Sequence, residues 1–170
     1  ISEFIGYNKK CGGVLVSGGS VANLMNIAVM RKVKGGKKIK EKGIYNEEVM
    51  RVYVSEEGHS SIDKAMDILG LGSENLIKIK RDKNFKIQVN ELEKQINRDI
   101  KSGFKPIGVI GIAGTTNTGS VDPMDKILKI CKKFDLWFMV DAAYGGPAAG
   151  LKEYKNLFKG MEKADSILLN

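Results

Sequence analysis

Four clusters of glycine, hydroxyl and charged residues each follow a short apolar run, and their residue types could hold a ligand. They are residues 17–20 (SGGS), 55–61 (SEEGHSS), 114–122 (GTTNTGSVD) and 141–146 (DAAYGG). Apolar runs of this length are typical of strands buried in a sheet. In a parallel sheet the carboxyl ends of the strands lie on one edge, where open α/β sheets bind their ligands. The four clusters therefore predict a binding site at that edge.

Asp141 follows the apolar run 136–140. A carboxylate at that point is partly desolvated, so it needs a cationic partner or a hydrogen-bonding network to stay charged. Ala142 and Ala143 leave room beside it for a flat ligand. An Asp in this position also commonly caps the following turn, and the residues alone leave both interpretations open.

The turn that contains Gly19 and Ser20 leads into a predicted helix. Free backbone N–H groups and the helix dipole favour a phosphate group at such a turn, and Ser20 adds a hydroxyl donor. The pattern lacks the GxxxxGK[ST] spacing of a nucleotide P-loop. A tight turn with Ser20 as the helix N-cap is the alternative.

His59 is the only histidine, and it lies between a predicted strand and a predicted helix. Its ring could stack on a planar ligand or move a proton near neutral pH. A helix cap or an ordinary surface residue is the alternative. A single histidine excludes a multi-histidine metal site within these residues, and no metal is predicted.

Strand and helix patterns alternate along the chain, which predicts a three-layer α/β/α domain with a mainly parallel sheet. The predicted strands are residues 13–16, 51–54, 76–79, 107–112, 136–140 and 166–169. The predicted helices are residues 22–33, 59–69, 90–100 and 124–134, with a possible short helix near Leu157. Asn90 is expected to cap its own helix with its side chain. Helical spacing places four residues on the inner face of the first helix, namely Leu24, Ile27, Ala28 and Val33.

Composition limits the classes of function. The chain has 170 residues, with 28 Lys and Arg against 20 Asp and Glu. Much of the excess lies in residues 31–42 (RKVKGGKKIKEK), which are predicted to form a solvated, mobile loop. The same segment permits a non-enzymatic module that binds polyanions, although no aromatic residues alternate with its lysines. Cys11 and Cys131 form no CxxC pattern and no apolar run approaches a membrane span, so a cytoplasmic protein without a membrane or nucleic-acid partner is predicted.

Five segments together match one family. They are GVLVSGGSVANL (13–24), VYVSEEGHSSIDKA (52–65), GIAGTTNTGSVDP (111–123), LWFMVDAAYGG (136–146) and KADSILLN (163–170). In this set the chain resembles the group II pyridoxal-phosphate-dependent decarboxylases, which include the aromatic-L-amino-acid, glutamate and diaminobutyrate decarboxylases. The segments cover essentially the whole chain, in order and with compatible spacing. The resemblance implies that residues 1–170 are part of the large domain of the fold type I architecture, truncated at both ends, in a homodimeric protein.

The resemblance also implies roles for individual residues. Gly19 and Ser20 would hold the phosphate of pyridoxal 5'-phosphate. His59 would stack on the pyridine ring and contact the substrate, which makes it a catalytic residue. Thr116 would form a hydrogen bond near the ring.

Further roles fall on the last two clusters. Asp141 would pair with the protonated pyridine nitrogen, as the second catalytic residue, and Ala143 would pack on the ring face. Asn170 would lie at the cofactor, just before the family's His-Lys pair, whose lysine forms the Schiff base. Met139 stands two residues before the Asp, where the family often has His, so a second histidine is absent from this region.

The resemblance predicts decarboxylation of an L-amino acid to the amine and carbon dioxide, with an aromatic amino acid as the first choice of substrate. Without the Schiff-base lysine, residues 1–170 alone are expected to be inactive. Another fold type I enzyme, a carbon–carbon lyase or a cysteine desulfurase, is the alternative from the same architecture. The non-enzymatic basic module is the alternative from a different class.

Overall fold

A five-stranded parallel sheet forms the centre of the molecule. A computed structural model describes residues 1–45 and 47–170. The strands are β1 (Met50–Ser55), β2 (Leu76–Ile79), β3 (Lys105–Ile112), β4 (Trp137–Asp141) and β5 (Ser166–Leu168), in the spatial order β2-β1-β3-β4-β5. Every pair of neighbouring strands in this sheet is parallel, as the alternating pattern predicted.

Helices cover both faces of the sheet, which confirms the three-layer α/β/α class. They are α1 (Gly19–Gly35), α2 (Lys37–Lys42), α3 (Ser60–Ile68), α4 (Val89–Lys101) and α5 (Met124–Lys133). Short 3-10 turns at Ser73–Asn75, Gly146–Gly150, Lys152–Phe158 and Met161–Lys163 complete the described elements, the third of them near Leu157 as expected. No helix in the described part of the chain is both long and apolar enough to cross a bilayer.

Successive side chains of a strand point to opposite faces, and this alternation divides the core into two layers. In β4, Phe138 and Val140 pack with α4 and α5, whereas Met139 packs on the opposite face with α1 and α3. β1 alternates in the same way, with Tyr53 on the α4 side and Val54 on the α1 side. A strand buried on both faces needs apolar residues at every position, which is why these runs are continuous.

The predicted strand at residues 13–16 is wrong. The segment belongs to no strand, and the exposed fractions of Val14 and Leu15 are 71% and 93%. A strand forms only where another strand accepts and donates its backbone hydrogen bonds, and no described segment pairs with this one. Apolar β-branched composition predicts strand propensity and says nothing about the availability of a partner.

The basic segment at residues 31–42 is also different from the prediction, because it is helical. It comprises the end of α1 and the whole of α2, joined at Gly36, whose φ of +92° breaks the helix. Lysine is a good helix former, and Ile39 anchors α2 by burial against the core. The segment's lysines still project into solvent, as expected, except Lys34, which is partly buried and pairs with Asp135.

Helix boundaries and inner faces differ from the sequence expectations in detail. α1 begins at Gly19, three residues before the predicted start, and its buried face contains Met30 while Val33 is exposed. α4 begins at Val89, and no side chain caps it, so the capping role expected of Asn90 is wrong. The helical period identifies an apolar stripe on the helix, but the packing of the helix against the sheet decides which residues of that stripe are buried.

Close contact between two loops shapes the carboxyl edge of the sheet. The Gly145 N–H donates to the Ala113 carbonyl at 2.9 Å, which joins the loop after β4 to the loop after β3. A Cβ at Gly145 would lie 2.3 Å from that carbonyl oxygen, so only glycine permits the approach. The Ala113 N–H in turn donates to the Asp141 carbonyl at 2.8 Å. These bonds fix the loops that line the site.

Candidate active site

A cavity of about 290 Å³ opens at the carboxyl edge of the sheet, between the N-terminus of α1 and the loops after β1, β3, β4 and β5. All the residues proposed from the sequence to bind or react line this cavity, namely Gly19, Ser20, His59, Thr116, Asp141, Ala143 and Asn170. The structure therefore brings the four clusters to one place. The individual roles suggested for these residues remain predictions.

Asp141 is the last residue of β4 and is buried, with an exposed fraction of 6%. Its Oδ1 accepts a hydrogen bond from the Ala143 N–H at 3.2 Å, and its Oδ2 accepts one from the Asn23 side-chain amide at 3.0 Å. The first bond is the turn-capping contact that the sequence left open. It does not exclude a ligand, because each carboxylate oxygen has a further lone pair and the residue lines the cavity.

His59 both caps a helix and lines the cavity. It is the N-cap of α3, and its Nδ1 accepts a hydrogen bond from the Ser61 N–H at 3.2 Å. The Ser61 hydroxyl lies 2.8 Å from the same nitrogen. The two interpretations of His59 that the sequence left open are thus compatible, because capping uses Nδ1 and leaves Nε2 free for a ligand.

The N-terminus of α1 offers backbone donors to the cavity. Gly18 precedes the helix with a φ of +91°, no side chain caps the helix, and its first turn contains no acidic residue. Ser20 therefore does not act as the N-cap, and the first-turn N–H groups have no partner within the helix. A Cβ at Gly19 would lie 3.9 Å from the Ala143 Cβ, so a larger residue there would begin to fill the cavity.

The loop after β3 is held by its own hydrogen bonds. The Thr115 and Thr118 hydroxyls lie 2.6 Å apart, and the Gly114 and Thr115 N–H groups both donate to the Ser120 carbonyl. Thr116 lies at the exposed side of this loop and lines the cavity. Its backbone position is therefore set by the hydrogen bonds of its neighbours.

Sequence reasoning missed several residues of the cavity wall. The most buried are Asn23 and Ser61, and the others with polar side chains are Glu57 and Tyr144. Asn23 carried a usable signal, since it lies four residues before Ile27 on the buried stripe of α1. A polar residue on an apolar stripe has to find a buried partner, and here the partners are Asp141 and Ser61.

Glu57 places a second carboxylate in the wall of the cavity. Arg81 contacts it through Nε at 2.5 Å and lies 4.3 Å above the Phe85 ring. Among the described residues that line the cavity there is no Lys or Arg. The charged and titratable groups of the cavity wall are therefore Glu57, which is paired with Arg81, the Asp141 carboxylate and the His59 imidazole.

The fold and the cavity together define a class of protein. The three-layer α/β domain places uncapped helix N–H groups, an imidazole and a buried carboxylate around one cavity. Such a cavity is suited to a ligand with an anionic group and a positively charged ring. The helix N-terminus attracts the anion, and the carboxylate attracts the positive charge.

Comparison with known proteins specifies the family. Residues 2–170 match the pyridoxal-dependent decarboxylase conserved domain. The chain is 40% identical over 168 residues to the acidic amino acid decarboxylase GADL1 of Xenopus tropicalis, with 99% of this chain and 32% of that protein covered. It is 35% identical over 170 residues to an aromatic-L-amino-acid decarboxylase of Bacillus atrophaeus, with 100% of this chain and 34% of that protein covered. The crystal structure of mouse CSAD superposes with a TM-score of 0.94 at 32% identity, covering 99% of this chain and 35% of that one.

The chain belongs to the pyridoxal-dependent decarboxylase family, and it spans about a third of the length of the curated relatives it matches. The cofactor of this family is pyridoxal phosphate, and the residues present suit it. Its phosphate matches the uncapped end of α1, and its ring nitrogen, when protonated, matches the free lone pairs of Asp141. Gly19 and Ala143 themselves present no large side chain to the cavity that they line.

Proposed function

We propose that the full-length protein is a pyridoxal-phosphate-dependent carboxy-lyase that converts an L-amino acid to the amine and carbon dioxide. The observation that carries the proposal is the buried Asp141 carboxylate in the wall of the cavity, in a chain that belongs to this family. When bound, pyridoxal phosphate supplies an electron sink for the electron pair that carbon dioxide leaves on the substrate α-carbon. A carboxylate held beside the ring nitrogen keeps that nitrogen protonated and the sink effective.

The remaining proposed roles are those that the family resemblance implies, and the position of each residue in the wall of the cavity supports them. The N–H groups at Gly19 and Ser20 would bind the phosphate, and Ala143 would pack on the ring. His59 would stack on the ring and, through Nε2, would hold or move a proton near the substrate, because its Nδ1 already accepts a hydrogen bond at the start of α3. Thr116 donates a hydrogen bond near the ring.

Asn170 completes the proposed set of contacts. It lies two residues after β5, the strand next to β4, and it lines the cavity. In this position it contacts the cofactor from the same edge of the sheet as the other strand-end residues. The lysine that holds the cofactor covalently is proposed to lie outside residues 1–170, since no lysine lines the cavity in the part of the chain described.

An aromatic side chain is the first candidate for the substrate. The relative from Bacillus atrophaeus is named as an aromatic-L-amino-acid decarboxylase. The cavity wall formed by described residues contains no Lys or Arg to pair with an acidic side chain. An acidic amino acid is the second candidate, because the GADL1 relative is named for such substrates and has the higher identity to this chain.

The test is product analysis on the full-length protein with pyridoxal phosphate. We expect carbon dioxide and the amine from a panel of phenylalanine, tyrosine, tryptophan, aspartate, glutamate and cysteine sulfinate, with the highest kcat/KM for an aromatic member. Higher kcat/KM for an acidic member would select the second candidate. Sulfide or an aldehyde in place of carbon dioxide would identify another fold type I enzyme and overturn the proposal.

The assembly and location of the protein are part of the proposal. We infer a cytoplasmic homodimer in which residues 1–170 form part of one large domain, with a small amino acid rather than a nucleic acid or membrane as its partner. Light scattering on the full-length protein should give twice the mass of the chain. Binding of polyanions with steep salt dependence and no spectral response to pyridoxal phosphate would favour the non-enzymatic module instead.

A further inference from the structure

Asn23 connects the two residues to which the proposed function gives the chemistry. It lies one turn into α1 with an exposed fraction of 2%. Its Nδ2 donates one hydrogen bond to Asp141 Oδ2 at 3.0 Å and another to Ser61 Oγ at 3.0 Å. Ser61 Oγ in turn lies 2.8 Å from His59 Nδ1. A continuous hydrogen-bonded path therefore runs from Asp141 through Asn23 and Ser61 to His59.

The direction of the Asn23 amide is set by its neighbours. A carboxylate oxygen only accepts, so the group facing Asp141 must be the NH2 and not the oxygen. The opposite orientation would place two acceptors 3.0 Å apart. The chosen orientation leaves Asn23 Oδ1 buried with no hydrogen-bond partner among the described residues. An unsatisfied buried acceptor costs stability, so the contact with Asp141 determines the orientation at the expense of Oδ1.

The same bonds determine the proton position on His59. The Ser61 N–H can only donate, so His59 Nδ1 must present a lone pair and a neutral ring carries its proton on Nε2. Asn23 donates to Ser61 Oγ, which turns the hydroxyl proton away from Asn23 and toward Nδ1. The Ser61 N–H and the Ser61 hydroxyl both donate to Nδ1 and therefore favour the Nε2–H form. Asn23 controls the direction of the hydroxyl.

We propose that Asn23 is a positioning residue that orients the Asp141 carboxylate for a ring cation and, through Ser61, holds His59 in the Nε2–H tautomer. Its role at Asp141 rests on the proposed function, because it needs a ring nitrogen as the partner. Its role at His59 does not, because the path exists without a ligand. The two roles are therefore tested separately.

The first test reads the tautomer of His59 without cofactor. Full-length protein labelled with 15N-histidine is compared with Asn23→Leu at a pH where the ring is neutral, with His59→Phe to assign the signals. We expect an Nε2–H ring in the natural protein and a shift of about fivefold in the tautomer ratio toward Nδ1–H in the variant, the size of one lost hydrogen bond. Ser61→Ala should shift the ratio in the same direction, and the double variant should shift it no further.

Asn26→Leu is the matched control for this test. Asn26 lies on the same helix, and among the described residues its amide bonds only to the Ala22 carbonyl, at 2.9 Å, so the tautomer ratio should not change. An Nδ1–H ring in the natural protein, or an unchanged ratio in both Asn23→Leu and Ser61→Ala, would overturn the His59 part of the proposal. If Asn23→Leu does not fold, the tautomer ratios of Ser61→Ala and Asn23→Ser are compared with that of the natural protein instead. Serine at position 23 offers one hydrogen-bond donor where the asparagine amide offers two.

The second test measures the dissociation constant of pyridoxal phosphate and of an analogue with a C–H in place of the ring nitrogen. Asn23→Leu should weaken binding of pyridoxal phosphate about tenfold, on the scale of a hydrogen bond to a charged group, and binding of the analogue by no more than about twofold. Equal losses for both ligands would mean that Asn23 acts by packing, and no loss would mean that it does not act on Asp141. Either result overturns the Asp141 part of the proposal. Absence of any binding in the natural protein would instead contradict the proposed function and leave the tautomer test to decide the role of Asn23.

Discussion

Asp141 and His59 each make a structural contact and face the cavity at the same time. Asp141 caps the turn at Ala143, and His59 caps α3 at Ser61. In both cases a backbone N–H holds the functional group, and part of the group can still bind a ligand: the remaining lone pairs of Asp141, whose Oδ2 also accepts from Asn23, and Nε2 of His59. A side chain fixed in this way loses little entropy when a ligand binds, which favours precise positioning. Replacements must therefore be chosen to separate capping from chemistry.

Asp141→Ala in the full-length protein should lower kcat by at least about a hundredfold, and Asp141→Glu should keep a trace of activity. Loss of a preorganised charge beside the reacting system has effects of this order. Steady-state release of carbon dioxide measures the effect, with Asp63→Asn as the control because Asp63 lies outside the residues that line the cavity and pairs with Lys78 at the surface. Near-normal turnover in Asp141→Ala would reduce the residue to a turn cap.

His59→Phe should retain cofactor affinity within a few fold, because an aromatic ring can still stack, while turnover falls about a hundredfold because no proton can be held. His59→Asn is the matched control, since asparagine is a good N-cap and preserves the contact with the Ser61 N–H without an aromatic ring. It should keep stability but lose cofactor affinity. Measurements of kcat, the cofactor dissociation constant and the melting temperature separate the three effects, and unchanged turnover in both variants would remove His59 from the chemistry.

At the scale of elements, buried carboxylates hold the loops that the sheet alone would leave free. Asp122 precedes α5, and its two oxygens accept hydrogen bonds from the Ile87 N–H at 2.7 Å and the Ile112 N–H at 2.9 Å. It thereby joins β3, the segment after β2 and the start of α5.

Asp99 forms a similar buried cluster between β1 and α4. Its carboxylate accepts hydrogen bonds from Arg51, Tyr53 and Gln95.

Asp122 should make stability depend on pH between about 4 and 6. Burial, the largest influence, raises the pKa of Asp122 from 3.8 to about 6, with a smaller increase from Asp82 and opposing effects of the two backbone hydrogen bonds and Lys86. In this window the folded protein binds more protons at Asp122 than the unfolded chain, so its contribution to the free energy of unfolding falls as the pH rises, by at most about 1.4 kcal/mol per pH unit.

Denaturant unfolding of the natural protein and of Asp122→Asn at pH 4.5, 5.5 and 7 measures this contribution. The variant should lose the pH dependence due to this group and should also be less stable at low pH, because its NH2 cannot accept from one of the two N–H donors. Asp63→Asn serves again as the surface control. Identical pH slopes in Asp122→Asn and the natural protein would contradict the raised pKa.

The basic helix α2 contributes to the fold through one residue rather than through its charge. Replacing Lys37, Lys38 and Lys40 with Gln should change the free energy of unfolding by less than about 1 kcal/mol, because these side chains are exposed and their ion pairs with Glu41 and Glu47 are long, at 3.7 and 3.9 Å. Cofactor binding should not change either.

Ile39→Ala is the contrasting variant in α2. Ile39 is buried against the core, so its truncation should lower the free energy of unfolding by about 2 kcal/mol or more. Equilibrium unfolding in denaturant measures both effects. A large loss in the lysine variant would show that the segment has a partner that its geometry does not reveal.

At the scale of the whole molecule, residues 1–170 correspond to about a third of the relatives' length and contain the cavity described above. The relatives that match are about three times as long, and the lining residues described include no lysine. Covalent attachment of pyridoxal phosphate needs an amine nucleophile. We therefore place that group in the remaining part of the full-length protein.

The full-length protein with pyridoxal phosphate should be yellow, and borohydride reduction should make the label permanent. Peptide mapping should find it on a lysine outside residues 1–170, shortly after Asn170 as the family resemblance implies. Residues 1–170 expressed alone should bind the cofactor weakly and without a covalent link. A label on any of the lysines within residues 1–170, or a colourless full-length protein in excess cofactor, would contradict this assignment.

Much of the fold and the site could be predicted from local patterns. The apolar runs identified β1 to β5, helical spacing identified α1, α3, α4 and α5, and strand-end clusters identified one edge of the sheet as the site. These features follow from sequence because a strand buried on both faces must be apolar throughout, and a helix on a sheet must be apolar on one stripe. The five segments taken together, in order and with compatible spacing, indicated the family, whereas the segment around Asp141 alone left the choice between a ligand site and a turn cap open.

What only the tertiary structure decided concerns partners that are distant in sequence. Residues 13–16 have the composition of a strand but no neighbour to pair with, and residues 31–42 are helical because Ile39 finds a place in the core. Asn23 is 118 positions from Asp141 and 38 from Ser61 in the sequence, so no local pattern reveals their hydrogen bonds. Backbone propensity and apolar periodicity are local properties, whereas a hydrogen bond or a buried contact depends on which groups the completed fold places within about 3 Å of each other.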